Sequence, residues 1–265
     1  MKIVIIFLIL LFWPLNLFLA NTLTDWLHYI LPAILLIISF LLFSKNSKSY
    51  IFPVLLVPFI EPKLTLLPIL ISLFVLITDK NKKIALITFF LSLIAFCIVW
   101  KPFWGQTVFK TDYEAQQSVI RKSQLYPNVF MARSFQNKAR IPLDKITYNF
   151  FALIDPNNYF FGFQPRQIIV NNQNIDKFPF VSLIFFIFGL YTINKNQNKK
   201  FVLITLFASL ISLIVLNSFD RNDFILWLPL SLVILHGVNK LQNKYLYLIF
   251  LIFTVPQLIR ILVLR

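Results

Sequence analysis

The chain has 265 residues, 58% of them hydrophobic, with only 4 Gly and a mean hydropathy of +0.78, which excludes an ordinary water-soluble domain and leaves a polytopic membrane protein. The formal charge of +15 is scattered between apolar segments instead of forming one basic face, so it argues for charges that orient helices in a bilayer and against a nucleic-acid partner. A single cysteine, Cys97, rules out a disulfide framework, and two distant histidines, His28 and His236, found no metal site; no cofactor is expected.

A helix crossing the hydrocarbon core needs roughly 20 apolar residues. On that measure spans are expected at 3–20, 26–44, 84–101, 178–194, 201–217, 224–238 and 245–262. The first, Lys2 followed by an apolar run, is expected to be an uncleaved signal anchor, because Phe18 is not the small residue a peptidase takes three before a cut after Ala20. The stretch 51–78 differs: Pro53, Pro58, Pro62 and Pro68 interrupt it, with Glu61 and Lys63 near its middle. Lys and Arg accumulate in short cytoplasmic connections. Lys2, Lys45/Lys48, Lys80/Lys82/Lys83, Lys195/Lys199/Lys200 and Lys240/Lys244 share that side only if 51–78 enters and returns as two short helices, 51–60 and 64–78, meeting at Glu61-Pro62-Lys63. The expectation is therefore an all-α membrane bundle of about nine segments in the cytoplasmic membrane, amino terminus inside and carboxyl terminus outside. It divides into amino-terminal helices (1–101), a mostly helical external domain (102–177) and a carboxyl-terminal four-helix region (178–265).

The external segment carries fourteen Phe, Tyr and Trp residues from Phe103 to Phe163, too many for a disordered linker and suited to the membrane–water interface. Thr111 followed by Glu114 reads as a capping box opening a helix through about Gln124. Asn128 can cap a second ending near Lys138, and Pro142 suits the first turn of a third running to about Ile154, before a turn at Asp155-Pro156-Asn157-Asn158. Nine Lys and Arg against five Asp and Glu leave residues 102–177 at +4. That basic, aromatic surface suits either phosphate recognition, for which Arg offers a planar fork, or a solvated domain resting on anionic lipid.

Ionisable groups in the membrane cost about 2.5–3.5 kcal/mol on insertion scales, so Glu61 and Lys63 need a reason. Either the apex reaches headgroup depth and both stay wet, or it lines an outward-opening cavity where Lys63 meets a phosphate. Asp220-Arg221-Asn222-Asp223, and Asp25 in the first external turn, face the same side. No Gly-rich phosphate loop, zinc spacing, nucleophile elbow or transporter-like repeat is present in the sequence.

"PFIEPKLTLLPILISLF" (58–74), "ARSFQNK" (132–138), "NFFALIDPNNYFFG" (149–162), "FPFVSLIFFIFGLYTINKNQNKK" (178–200) and "SFDRNDFILWLPLSLVILHGVNKL" (218–241) stand in an order that resembles the later part of GT-C glycosyltransferases related to protein O-mannosyltransferases and the lipid A aminoarabinose transferases. The resemblance covers about residues 45–245. It implies an enzyme using a polyprenyl-phosphate-linked sugar at the outer face, with an acidic base activating the acceptor and cations holding the lipid phosphate. The cations it points to are Lys63, Arg133, Lys138, Arg140, Arg166 and Arg221. The departure is at the front: the acidic first external loop of the family is missing, so the base is unassigned, with Asp25, Glu61 or a residue of a second membrane subunit as candidates. The alternative is a non-catalytic envelope protein that binds membrane lipid or a partner chain on the same scaffold; a transporter is the third reading.

Overall fold

The computed structural model describes residues 1–20, 26–78, 82–110, 113–162, 168–196 and 198–264, excluding the side chains of residues 26, 48, 132, 133 and 135. Asp25, Lys80, Arg166 and the Thr111 cap lie outside the described residues, as does the side chain of Arg133.

Helices α1 (Lys2–Ala20) and α2 (Trp26–Ser44) open the chain. A 3-10 helix, Lys48–Leu56, then runs into one α-turn, α3 (Val57–Ile60). Pro53 and Pro58 each withhold a backbone donor, and the first half of this stretch takes the tighter 3-10 form instead of an uninterrupted α-helix. This limb runs back along α2: Ser39 donates to the Tyr50 carbonyl, and His28 lies 3.1 Å from the Ile60 carbonyl. Glu61 precedes a proline and is extended, with φ −132° and ψ 96°. Its carboxylate accepts from the Lys63 amide at 3.2 Å, capping the Pro62–Leu64 turn that leads into α4 (Leu66–Thr78). The limbs on either side of Glu61 touch each other, so the chain reverses at the expected apex.

Helix α5 (Lys82–Trp104) shows which solvent the bundle is built for. As far as Ala95 its buried stripe is small or polar, Ala85, Thr88, Ser92 and Ala95, before Val99 and Phe103 continue it, while Leu86, Ile87, Phe90, Ile94 and Ile98 face outward. The inward hydroxyls are satisfied by their own helix, and Ser92 meets Ser72 of α4 at 3.4 Å. Small residues inside and bulky hydrocarbon outside is the arrangement of helices packed in lipid, where apolar surface gains nothing by hiding. Among the described residues, five helices are long and apolar enough to cross a membrane: Lys2–Ala20, Leu27–Ser44, Lys82–Trp104, Asn222–Lys240 and Lys244–Val263.

The described residues between α5 and α9 carry three α-helices. Helices α6 (Tyr113–Ser123), α7 (Val129–Phe135) and α8 (Arg140–Ile154) follow the expected order. Asn128 caps α7 by accepting from the Phe130 amide at 2.8 Å, but α7 stops at Phe135, short of Lys138. A π-turn, Asn157–Phe161, ends on Gly162 at φ 64°. A side chain there would place its Cβ 2.6 Å from Asp176 Oδ1. The sequence reading contained no strand, yet β1 (Ile168–Val170) pairs antiparallel with β2 (Gln173–Ile175). Asn171 and Asn172 take positive φ, the two-residue turn that matches strand twist.

The carboxyl-terminal region comprises α9 (Ser182–Tyr191), α10 (Lys199–Ile214), a 3-10 turn at Asn222–Leu226 continuous with α11 (Trp227–Lys240), and α12 (Lys244–Val263). The expected 178–194 span is a ten-residue helix, with a separate 3-10 turn after it at Ile193–Lys195. Helices α9 and α11 meet backbone to backbone. A Cβ on Gly189 would sit 2.1 Å from the Val233 carbonyl oxygen, and one on Gly237 1.9 Å from that of Phe185.

Gly189→Ala and Gly237→Ala are each expected to force this crossing apart and lower the thermal midpoint in detergent, at a cost of roughly 1–3 kcal/mol. Gly105→Ala, where nothing lies within 3.7 Å of the new Cβ, is expected to leave the midpoint unchanged.

Candidate functional site

One end of the bundle gathers the polar groups. The segment after α10 is fastened first: Val108 donates to the Val215 carbonyl at 2.9 Å, Asn217 to that of Gln106 at 2.9 Å, and Asn149 to those of Ile214 and Leu216 at 2.9 and 2.7 Å. Residues 218–223 follow directly. Arg221 holds φ 64° and ψ −33°. The other described non-glycine residues at positive φ are all asparagine, which tolerates it, so Arg221 carries local strain of roughly 1–3 kcal/mol.

The centre of this end is a buried ion pair. Lys177 and Asp223, 2% and 3% exposed, bind each other, and Lys177 also donates to Asn158 Oδ1 at 2.9 Å. Two rings lie close to the ammonium, Trp13 at 5.3 Å and Tyr159 at 5.2 Å to their centroids. Trp13 packs edge-on against Phe178 and Phe224 and tilted against Tyr159. Four stretches of chain therefore converge on one cation: α1, the π-turn, the strand-to-α9 connection and the 222–226 turn. Burial, with the Asp223 carboxylate beside it, holds the Tyr159 hydroxyl well above its ordinary pKa; it stays protonated and donates to the Leu153 carbonyl at 2.8 Å.

Beside the pair opens a cavity of about 430 Å³. Its lining combines apolar side chains, Trp13, Leu17, Ile168 and Ile169, with charged ones of both signs, Lys177, Asp220, Arg221 and Asp223. Arg221 donates to the Ala20 carbonyl at 3.4 Å, and Ser218 donates to Asp220 at 2.7 Å. The apex joins this end: Lys63 Nζ reaches Asn222 Oδ1 at 3.4 Å, and Glu61 Oε2 lies 3.2 Å from His28 Nδ1. An apolar slot of about 240 Å³, lined by Leu153, Phe186, Leu206 and Leu226 among others, has Tyr159 in its wall.

The residues singled out from sequence divide clearly. Glu61, Lys63 and Arg221 share this end of the bundle. Arg140 is instead tied to Asp144, one helical turn on, at 2.7 Å on an exposed surface, and Lys138 is exposed in the α7–α8 connection. Sequence reasoning missed Lys177, Asp223, Asn158 and Trp13 as a unit. Lys177 had counted only as one more cation at the edge of a solvated segment, and the apolar pattern of α1 gives no sign that Trp13 touches a charge. Among the described residues, no three His, Cys, Asp or Glu side chains converge to hold a metal. Comparison with family models, curated proteins and solved structures finds no match for this chain.

A second polar site flanks the first. Asp176, next to Lys177, accepts from Gln257 at 3.4 Å; its backbone carbonyl accepts from the buried Asn16 amide. Burial pushes the Asp176 carboxyl up from 3.8 to about 6, against the pull of Arg260.

Two outcomes are expected. Lys177→Met or Asp223→Leu alone strands a buried charge and is expected to cost about 3–5 kcal/mol, whereas the double substitution recovers most of the loss, as a thermal-unfolding double-mutant cycle would read. For Asp176, the native state holds its proton more tightly than the unfolded chain does. Its ionisation therefore costs stability above about pH 6, and that cost disappears as pH falls toward 4. Asp176→Asn is expected to raise the midpoint by a few degrees at pH 7.5 and to change it little at pH 4.5, measured by melts across that range.

Proposed function

We propose that this chain is an integral membrane protein of GT-C-like architecture that holds the phosphate of a polyprenyl-linked sugar at its polar end and presents the sugar for transfer. In this reading the nine apolar segments sit in the cytoplasmic membrane, with the apex, the 102–177 segment and the 220–223 turn on the outer side. The observation that carries it is the cavity beside Lys177 and Asp223. A pocket lined by hydrocarbon together with Lys177, Arg221 and two carboxylates suits a ligand that is itself a lipid with a charged phosphate, which Arg221 would meet. Arg221 supplies a forked donor in its lining, and Lys63, outside that lining, is a second cation bonded to the residue next in sequence to Arg221. The apolar slot against Tyr159 is of a size and lining to take part of an isoprenoid or acyl chain. Strain at Arg221 is consistent with a backbone held for function.

A second reading draws on one observation. Glu61, Asp220 and Asp223 are each engaged, by the Lys63 amide and His28, by Ser218, and by Lys177. A scaffold that binds an anionic lipid without transferring its sugar, alone or with a second membrane subunit, would need no disengaged carboxylate.

Binding decides the shared part. In nanodiscs, Lys63→Ala and Arg221→Asn, the latter chosen because asparagine tolerates positive φ, are each expected to weaken polyprenyl phosphate binding at least tenfold, with neutral polyprenol unaffected. Unchanged phosphate binding in both variants would remove the site.

A further inference from the structure

His28 is set up as a base. Its Nδ1 lies 3.1 Å from the Ile60 carbonyl oxygen and 3.2 Å from Glu61 Oε2. A carbonyl oxygen can only accept, so the ring nitrogen facing it carries the hydrogen. In the neutral ring the lone pair is then on Nε2, and among the described residues nothing engages that atom. The ring is half exposed, at 54%, while the Glu61 side chain is at 9%. Glu61 is fixed from three directions: the proline after it restricts its backbone, its amide donates to the Val57 carbonyl at 2.9 Å, and its Oε1 caps the Lys63 amide. The other histidine is arranged the opposite way. His236 Nε2 faces the Thr192 carbonyl at 3.0 Å, so its proton belongs on Nε2.

We infer that His28 Nε2 is the proton acceptor of the site and that Glu61 is its positioning residue, the carboxylate holding the ring in the Nδ1-protonated tautomer. The inference rests on the transfer reading above and supplies the base which that reading leaves unassigned. Helix α2 packs against the 222–226 turn, and Lys63 of the same apex bonds Asn222, so base and phosphate-binding cations lie along one polar seam. In the step, an acceptor hydroxyl oxygen bonds to the anomeric carbon of the sugar as the bond from that carbon to the phosphate oxygen breaks. The electron pair of the broken bond leaves with the polyprenyl phosphate, and the hydroxyl proton passes to Nε2. The resulting imidazolium is stabilised by the Glu61 carboxylate and, being half exposed, returns the proton to water. The elements packed against α2 are the Lys48–Leu56 limb, α3, the 222–226 turn and α11; their charged and histidine residues are Lys48, Asp223, which is paired with Lys177, His236 and Lys240, with Glu61 and Lys63 at the adjoining apex.

Three measurements on the full chain in nanodiscs test this. Imidazole ¹⁵N spectra, with His236→Gln for assignment, are expected to show neutral His28 protonated on Nδ1 and His236 on Nε2; a neutral His28 protonated on Nε2 overturns the inference without any variant of His28. Transfer from a polyprenyl-phosphate sugar to hydroxyl acceptors is expected to fall at least 100-fold in His28→Gln, with polyprenyl phosphate binding retained. Glu61→Gln is expected to lower transfer less and to displace its pH profile, with Glu61→Asp restoring part of it. Normal transfer by His28→Gln, or joint loss of binding and transfer, overturns the assignment. A wild-type chain that binds polyprenyl phosphate but transfers nothing overturns the base and leaves the binding site standing; one that does not bind overturns both.

Discussion

A lysine ammonium and an aspartate carboxylate removed from water together hold this molecule's polar end in place. Desolvating Lys177 and Asp223 is expensive, and what offsets it is local: their mutual attraction, the Asn158 carbonyl and the faces of Trp13 and Tyr159. Each partner comes from a different part of the chain, so the pair can form only when the 102–177 segment is already seated on the carboxyl-terminal helices. Such a contact contributes less to stability than to specificity of docking, because half of it is worse than none. The cavity wall beside it is the dividend: charges that would collapse onto solvent in a loop are presented at fixed positions next to hydrocarbon.

The apex works by a different principle. Glu61 sits where a proline forbids helix and where a short 3-10 turn needs a cap, so backbone geometry places its carboxylate before any partner is considered. One of its oxygens accepts from the Lys63 amide and the other faces the His28 ring of α2, so a buried carboxylate and a half-exposed imidazole are held side by side.

Much of this could be read from sequence, and for identifiable reasons. Long apolar runs, the Asn128 cap, Pro142 and the proline-forced reversal at Glu61 are local signals whose outcome is settled within a few residues, and the apolar runs are helical, five of them, among the described residues, long enough to cross a membrane. What escaped was long-range. Lys177 and Asp223 are separated by 46 positions, and nothing near either distinguishes a buried charge from a solvated one. The hairpin at 168–175 has strands of three residues, too short for alternation to show. Arg140 looked like a phosphate ligand, although Asp144, placed one helical turn on, was enough to claim it.

Helices α9 and α11 give the bundle a stator. Of the 4 glycines in the chain, two are spent where these helices cross, and carbonyl oxygens fill the space a methyl group would take. Peptide planes seated that closely cannot slide past one another or roll without collision, whereas helices separated by leucine and phenylalanine side chains can repack by changing rotamers. Any relative motion of the packed helices is thereby directed away from this seam, toward crossings where side chains rather than peptide planes make the contact.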